Sequence, residues 1–223
     1  VFGGEVFVTS HQTKGRGQRG NSWAAEPDKN ITLSIILKPD FLKAKEQFRL
    51  NIAISLGITH FLDHYVKKGI KIKWPNDIFF NNRKIGGILI ENFLRKNFIE
   101  SCIVGIGLNI NQKEFHGINA TSLCLATGRA FQLEVLIANL LESIETKFLA
   151  LKSGYFDTMK QQYISNLFRY QEKHEYIDLK YNNGTRFTGE ILGIDTEGKL
   201  AVLHQKENTM YYFDFKEIQF TNT

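Results

Sequence analysis

The 223 residues carry 43% hydrophobic and 23% charged side chains, which excludes disordered, collagen-like and low-complexity chains and leaves ample material for a core. Lys and Arg number 28 against 23 acidic residues, a net +5 too small to demand a polyanionic partner. Two cysteines without CxxC spacing, Cys102 and Cys124, argue against a disulfide framework or a zinc site, and no apolar run approaches the roughly 20 residues of a membrane span, so the chain reads as soluble and cytoplasmic.

Residues 1–10 read as a strand with Val6 and Val8 alternating, and a Gly/Arg/Gln loop follows over 11–22. A second strand covers 31–37 and stops at Lys38-Pro39. From Phe41 the apolar period becomes helical, through Phe48, Ile52, Leu56 and Phe61, with Gly69 as the stop. Short strands at 70–74 and 77–80 flank Pro75, and Asn81-Asn82 is a turn into a strand at 85–93. Residues 98–110 are a strand pair or one long buried strand. Helices are expected at 133–151 and 155–168. Beyond a boundary near 172–175, strand-like runs at 176–180, 185–191, 200–204 and 210–215 alternate with turns at 182–184, 195–198 and 206–208. The expected class is α+β, a mixed-sheet domain over 1–172 and a small all-β barrel over 173–223.

Three clusters carry candidate chemistry. Gly15-Arg16-Gly17-Gln18-Arg19-Gly20 follows a strand with the GxGxxG spacing, but the next segment has no helical period and contains Pro27, so a Rossmann pyrophosphate site is rejected. Glycines there bring backbone N–H groups close to a ligand, while Arg16 and Arg19 offer planar forks for carboxylate or phosphate. The second cluster is Lys73-Trp74-Pro75-Asn76-Asp77, followed by Lys84 and Gly86-Gly87-Ile88-Leu89. Asn76 and Asp77 supply hard oxygens suited to Mg²⁺ or a ribose, and Lys84 is a cation at a strand start. The bland alternative is a turn and a solvated strand end. The third cluster is Gly105-x-Gly107-x-Asn109, either close strand packing or a ligand approach. His60 and His64 lie four apart on a helix face, with no Glu between them to complete a metalloprotease pattern.

Taken in order, Gln12-x-x-Gly15-Arg16-Gly17-x-x-Gly20, Trp23, the Lys73–Asp77 motif with Lys84 and Gly86-Gly87, and Gly105-x-Gly107-x-Asn109 resemble the biotin–protein ligases over nearly the whole chain. The resemblance implies a biotin/lipoate-ligase catalytic fold with a C-terminal SH3-like barrel. It also implies ATP-dependent formation of biotinyl-5′-adenylate, with transfer of biotin to a lysine of a biotin carboxyl carrier protein. By that likeness Gln12, Gly15, Arg16, Gly17, Gln18, Lys84 and Gly87 surround biotin, with Lys84 and Arg16 as the catalytic cations. Arg19, Trp23, Lys73, Asn76, Leu89 and Asn109 face ATP and the adenylate, and Asp77 holds Mg²⁺. The family's Ser-Thr-Asn segment before the first strand is not in the sequence, and Gln18 replaces an arginine common among relatives, loosening the grip on phosphate. An N-terminal helix-turn-helix has no room here, so a monofunctional enzyme without repressor activity is expected; a homodimer is left open. The rivals are a lipoate–protein ligase and, from another class, a non-enzymatic nucleic-acid-binding module using the basic surplus and the barrel tyrosines.

Overall fold

A computed structural model of the chain describes residues 4–182 and 184–221, with Arg19 described by its backbone alone. The start of the expected first strand (1–3) and Asn183 of the 182–184 turn lie outside the described residues.

Six strands form the first sheet: β1 (Val6–Val8), β2 (Ile31–Leu37), β3 (Ile70–Lys73), β4 (Asp77–Phe80), β5 (Arg83–Arg95) and β6 (Phe98–Leu108), in the order β1-β2-β6-β5-β4-β3. Their ladders are all antiparallel, which corrects the mixed-sheet expectation. Parallel pairing is confined to isolated bridges such as Ile72–Leu167 and Lys84–Ala120. Short hairpins explain this: the Asn81-Asn82 turn, with Asn81 at φ 51°, returns β4 directly into β5. The expected 98–110 segment holds one strand, ending at Leu108, and β5 with β6 makes the longest hairpin of the sheet.

Period-2 alternation divides the sheet. Ile31, Leu33, Ile35 and Leu37 of β2, and Cys102, Val104, Ile106 and Leu108 of β6, are buried. The helices that accompany them are α1 (Gln47–Asp63), the five-residue α2 (Leu123–Thr127), α3 (Leu133–Lys152) and α4 (Phe156–Ser165). Helix α1 is buried along most of its length because it packs on α3, α4 and β3 at once. Gly57 permits the close crossing with α3: a Cβ there would stand 2.8 Å from Ile144 Cα, and Ser143 Oγ donates to the Gly57 carbonyl at 2.8 Å. Helix α1 starts at Gln47 rather than near 41, because Pro39 to Glu46 turn instead; Leu42 N–H donates to Pro39 O and Lys43 N–H to the Glu46 carboxylate. His60 and His64 lie on α1 as an edge-to-face pair, and no cluster of three or more potential metal-ligating side chains occurs among the described residues.

The second sheet contains β7 (Lys173–Asp178), β8 (Thr185–Ile194), β9 (Leu200–His204), β10 (Thr209–Phe213) and β11 (Ile218–Phe220), ordered β10-β9-β8-β7-β11. It is compatible with an SH3-like arrangement but is not a closed barrel: the chain turns at 214–217 and the three-residue β11 pairs with β7, leaving β10 and β11 without a ladder between them. Tyr176 is in its core, whereas Tyr181 and Tyr212 are exposed. No described helix is long and apolar enough to cross a membrane. Both cysteines are free and buried, and burial pushes the Cys102 thiol up to about 12.

Candidate active site

The sheet face opposite the helices carries the small side chains. Register aligns Thr32, Gly107, Gly87 and Asp77 in one row across β2, β6, β5 and β4. A second row is Ser34–Gly105–Leu89 and a third Ile36–Ile103–Glu91. With glycine at 87, 105 and 107 the floor is low, and above it lies a cavity of about 1200 Å³. That exceeds the roughly 300–1,000 Å³ of a site for one drug-sized ligand, leaving room for more than a single small molecule.

Residues 15–23 overhang this floor as a miniature hairpin. Trp23 N–H donates to Gly15 O (3.0 Å), Gly17 N–H donates to Asn21 O (2.7 Å), and residues 18–20 make a single 3₁₀ turn at the tip. The Gly17 N–H is therefore engaged within the loop rather than presented to a ligand. The Trp23 indole lies on Gly107, where a Cβ would stand 2.8 Å from Nε1 and closer still to the ring carbons. Gly107 thus serves close packing under Trp23, whereas a Cβ at Gly105 would meet nothing closer than Leu89 at 3.6 Å, and Gly105 stays open to the cavity.

Lys84 and Asp77 form the charged centre of the floor. Their ion pair is 2.7 Å long, with side chains 31% and 28% exposed, and the Lys84 ammonium lies 5.7 Å from the Trp23 ring. Lys84 is fixed from behind: its N–H donates to Asn119 O, and its carbonyl accepts from Thr121 N–H. At the rim, Arg16 pairs with Glu91 at 3.4 Å. Glu91 was not among the expected residues, although the 87/89/91 alternation of β5 points it into the cavity. Lys73 lies 5.0 Å from the centroids of both Phe79 and Phe220, and burial lowers its pKa, opposed by neighbouring Asp77.

Gln12, Arg16, Gly17, Gln18, Trp23, Lys73, Asn76, Asp77, Lys84, Gly87 and Leu89 all line this one cavity, though they come from separate stretches of chain. Gln18 Oε1 and Trp23 Nε1 are buried without a hydrogen-bond partner among the described residues, an acceptor and a donor of the kind a polar ligand satisfies. Asn76 faces the cavity but its amide donates to Ile88 O (2.6 Å), tying the 74–76 loop to β5. Gly15 lies behind the lining, under Trp23 O. Asn109 corrects an expectation: it is buried outside the cavity, where its amide donates to Thr121 O (3.0 Å) and braces the segment that holds Lys84. The Arg19 side chain lies outside the described residues.

The profile of the biotin/lipoate A/B protein ligase family matches residues 3–109. The chain is 31% identical over 209 residues to the bifunctional ligase/repressor BirA of Bacillus spizizenii, a match covering 91% of this chain and 62% of that protein. Over its first half the chain is similar to that ligase family. It is also 29% identical to the biotin–[acetyl-CoA-carboxylase] ligase of Mycobacterium tuberculosis, over 68% of this chain and 56% of that one. Among solved structures, the biotin protein ligase of Aquifex aeolicus in complex with biotin and ATP superposes with a TM-score of 0.79 at 25% identity, covering 98% of this chain and 89% of that chain. The chain spans about three fifths of the length of the BirA protein.

Proposed function

We propose that the chain is an ATP-dependent biotin–protein ligase. The observation that carries the reading is the Lys84–Asp77 pair at 2.7 Å on a glycine-lowered floor, in one cavity of about 1200 Å³ with Arg16 of the hairpin. In the first step a biotin carboxylate oxygen attacks the α-phosphorus of ATP; the bond to the β-phosphate oxygen breaks and pyrophosphate leaves. In the second, the amine of a carrier lysine attacks the acyl carbon, AMP departs and an amide forms.

Two anions must meet in the first step, so the dominant catalytic need is preorganised positive charge rather than an acid–base pair. Lys84 is held from two sides and meets the carboxylate and the α-phosphate. Arg16 exchanges Glu91 for the substrate. Gln12, Gln18 and Gly87 contact biotin beside them, while Trp23, Lys73 and Leu89 face the nucleotide, with Arg19 on the phosphates. A Mg²⁺ ion fits one carboxylate together with substrate phosphates and water, the manner in which Mg²⁺ is commonly held, and Asp77 is the donor in reach. Bound there, the ion would neutralise phosphate charge.

The transferred group's acceptor is a biotin carboxyl carrier domain. Residues 1–172 form the catalytic unit and 173–223 the appended one, in a cytoplasmic setting consistent with two free thiols. Biotin-dependent exchange of labelled pyrophosphate into ATP tests the assignment, with lipoate and octanoate in parallel. Exchange with biotin alone supports it; exchange with lipoate and not biotin replaces it with the sister activity.

A further inference from the structure

Lys73 and Trp74 begin the loop that carries Asp77 into the cavity, and each also grips the second sheet. The Trp74 indole N–H donates to the Gly198 carbonyl at 2.9 Å in a buried setting. Gly198 sits in the turn between β8 and β9 at φ 91°, pressed against α1, where a Cβ would fall inside the Phe48 ring. Phe48 in turn packs edge-to-face on Tyr163, whose hydroxyl donates to Pro75 O at 3.4 Å. The Phe220 ring of β11 lies 5.0 Å from the Lys73 ammonium, as the Phe79 ring does. The connection to the second sheet is also stitched to β3: Ile72 N–H donates to Asn166 O and Phe168 N–H to Ile72 O, each at 2.8 Å.

We infer that Gly198 and Phe220 are positioning residues for the nucleotide half of the site, acting through Trp74 and Lys73. The Trp of the motif, which also lines the cavity, is then an anchor for the second sheet. The inference rests on the functional reading for its kinetic consequence but not for its structural one. Lys84 is fixed separately by residues 119–121 and Asp77 is laddered to Gly87, so loosening the clasp shifts Lys73 first and leaves the Lys84 backbone in place.

Trp74→Phe keeps an aromatic ring and removes only the donor, while Phe220→Leu keeps bulk and removes the ring facing Lys73. Val202→Ala, in the core of the second sheet and away from the loop, reports plain loss of stability. Each variant is compared with wild type by hydrogen–deuterium exchange of peptides covering residues 72–78 in the ligand-free protein, by kcat and KM for ATP in biotin-dependent pyrophosphate exchange, and by calorimetric biotin affinity. Trp74→Phe and Phe220→Leu are expected to speed exchange over 72–78 and raise KM for ATP about five- to tenfold, the equivalent of one buried hydrogen bond, with kcat and biotin affinity within about twofold. Val202→Ala should leave both quantities near wild type. Unchanged deuterium uptake in Trp74→Phe, or the same pattern in Val202→Ala, overturns the inference. If wild type shows no biotin-dependent exchange, the functional reading fails and the deuterium comparison alone decides the coupling.

Discussion

The floor of the cavity and the hairpin above it are held in different ways. Floor residues Gly87, Gly105 and Gly107 sit in continuous ladders from β2 through β6 and β5 to β4, and Lys84 and Asp77 are braced within the same sheet. The 15–23 hairpin is closed by a few main-chain bonds, and its leading cation, Arg16, has a side chain 75% exposed and paired only with a rim carboxylate. Local stability follows such contact density, so the floor is the more firmly braced region and the hairpin the less firmly braced one. On the proposed function, catalytic charge is assigned to the floor and capture to the hairpin. Substitutions should sort by which region they touch.

The largest effect is expected for Lys84→Ala. Losing one preorganised charge contact costs about 2.7–4 kcal/mol, so biotin-dependent pyrophosphate exchange should fall roughly 10²–10³-fold with little change in thermal stability. Lys84→Arg should restore only part of it, because a planar fork is shaped unlike an ammonium.

Gly107→Ala comes next, where the floor packs directly against the Trp23 ring of the hairpin. Overpacking of this kind costs about 1–3 kcal/mol, and the ring must leave its seat, so KM for ATP should rise about tenfold. A denaturant melt separates the two contributions. An unchanged KM would remove Trp23 from the nucleotide side.

Asp77→Asn removes the partner of Lys84 and the carboxylate in reach of Mg²⁺. The expected result is a weaker dependence of exchange on Mg²⁺ with biotin affinity retained, measured by titrating the ion at fixed ATP. Equal loss of biotin affinity with the Mg²⁺ response intact would put Asp77 on the other substrate.

Glu91→Gln should matter least. Exposed ion pairs contribute about 0–1 kcal/mol, so any change in biotin association should be at most about fivefold and should fade with added salt. A salt-insensitive loss of tenfold or more would mean that Glu91 belongs with the floor.

Apolar runs bounded by turn residues made much of the fold legible: β2 and β9 fall on the expected bounds, and the Asn81-Asn82 turn gives the β4–β5 hairpin. Helix α2 escaped because five residues are too few for a period, and its evidence is the Ser122 cap on Leu125 N–H. The start of α1 escaped because side-chain and turn bonds over 39–46 compete with helix. Within the site, Lys84 and Asp77 were visible as residue types, but their pairing depends on β4–β5 register and the irregularity between Ile78 and Phe79. Asn109 misled because a strand-end Asn near glycines looks ligand-facing, whereas its amide is bound to Thr121 O. The role of Trp74 lay in a contact with Gly198, far along the chain, which no local pattern encodes.

The central claim is that the floor supplies the charge that lets two anions react, and it is tested most directly by dividing the reaction at the adenylate. Wild type and Lys84→Ala are assayed for biotinyl-adenylate formation from biotin and ATP, and separately for transfer from preformed biotinyl-adenylate to a carrier domain. A loss of roughly 10²–10³ in formation is predicted. Transfer should be reduced far less, since the anhydride no longer requires two anions to be forced together. Equal losses in both halves, or near-normal adenylate formation, would contradict it and move the catalytic charge from the floor to the arginines of the hairpin.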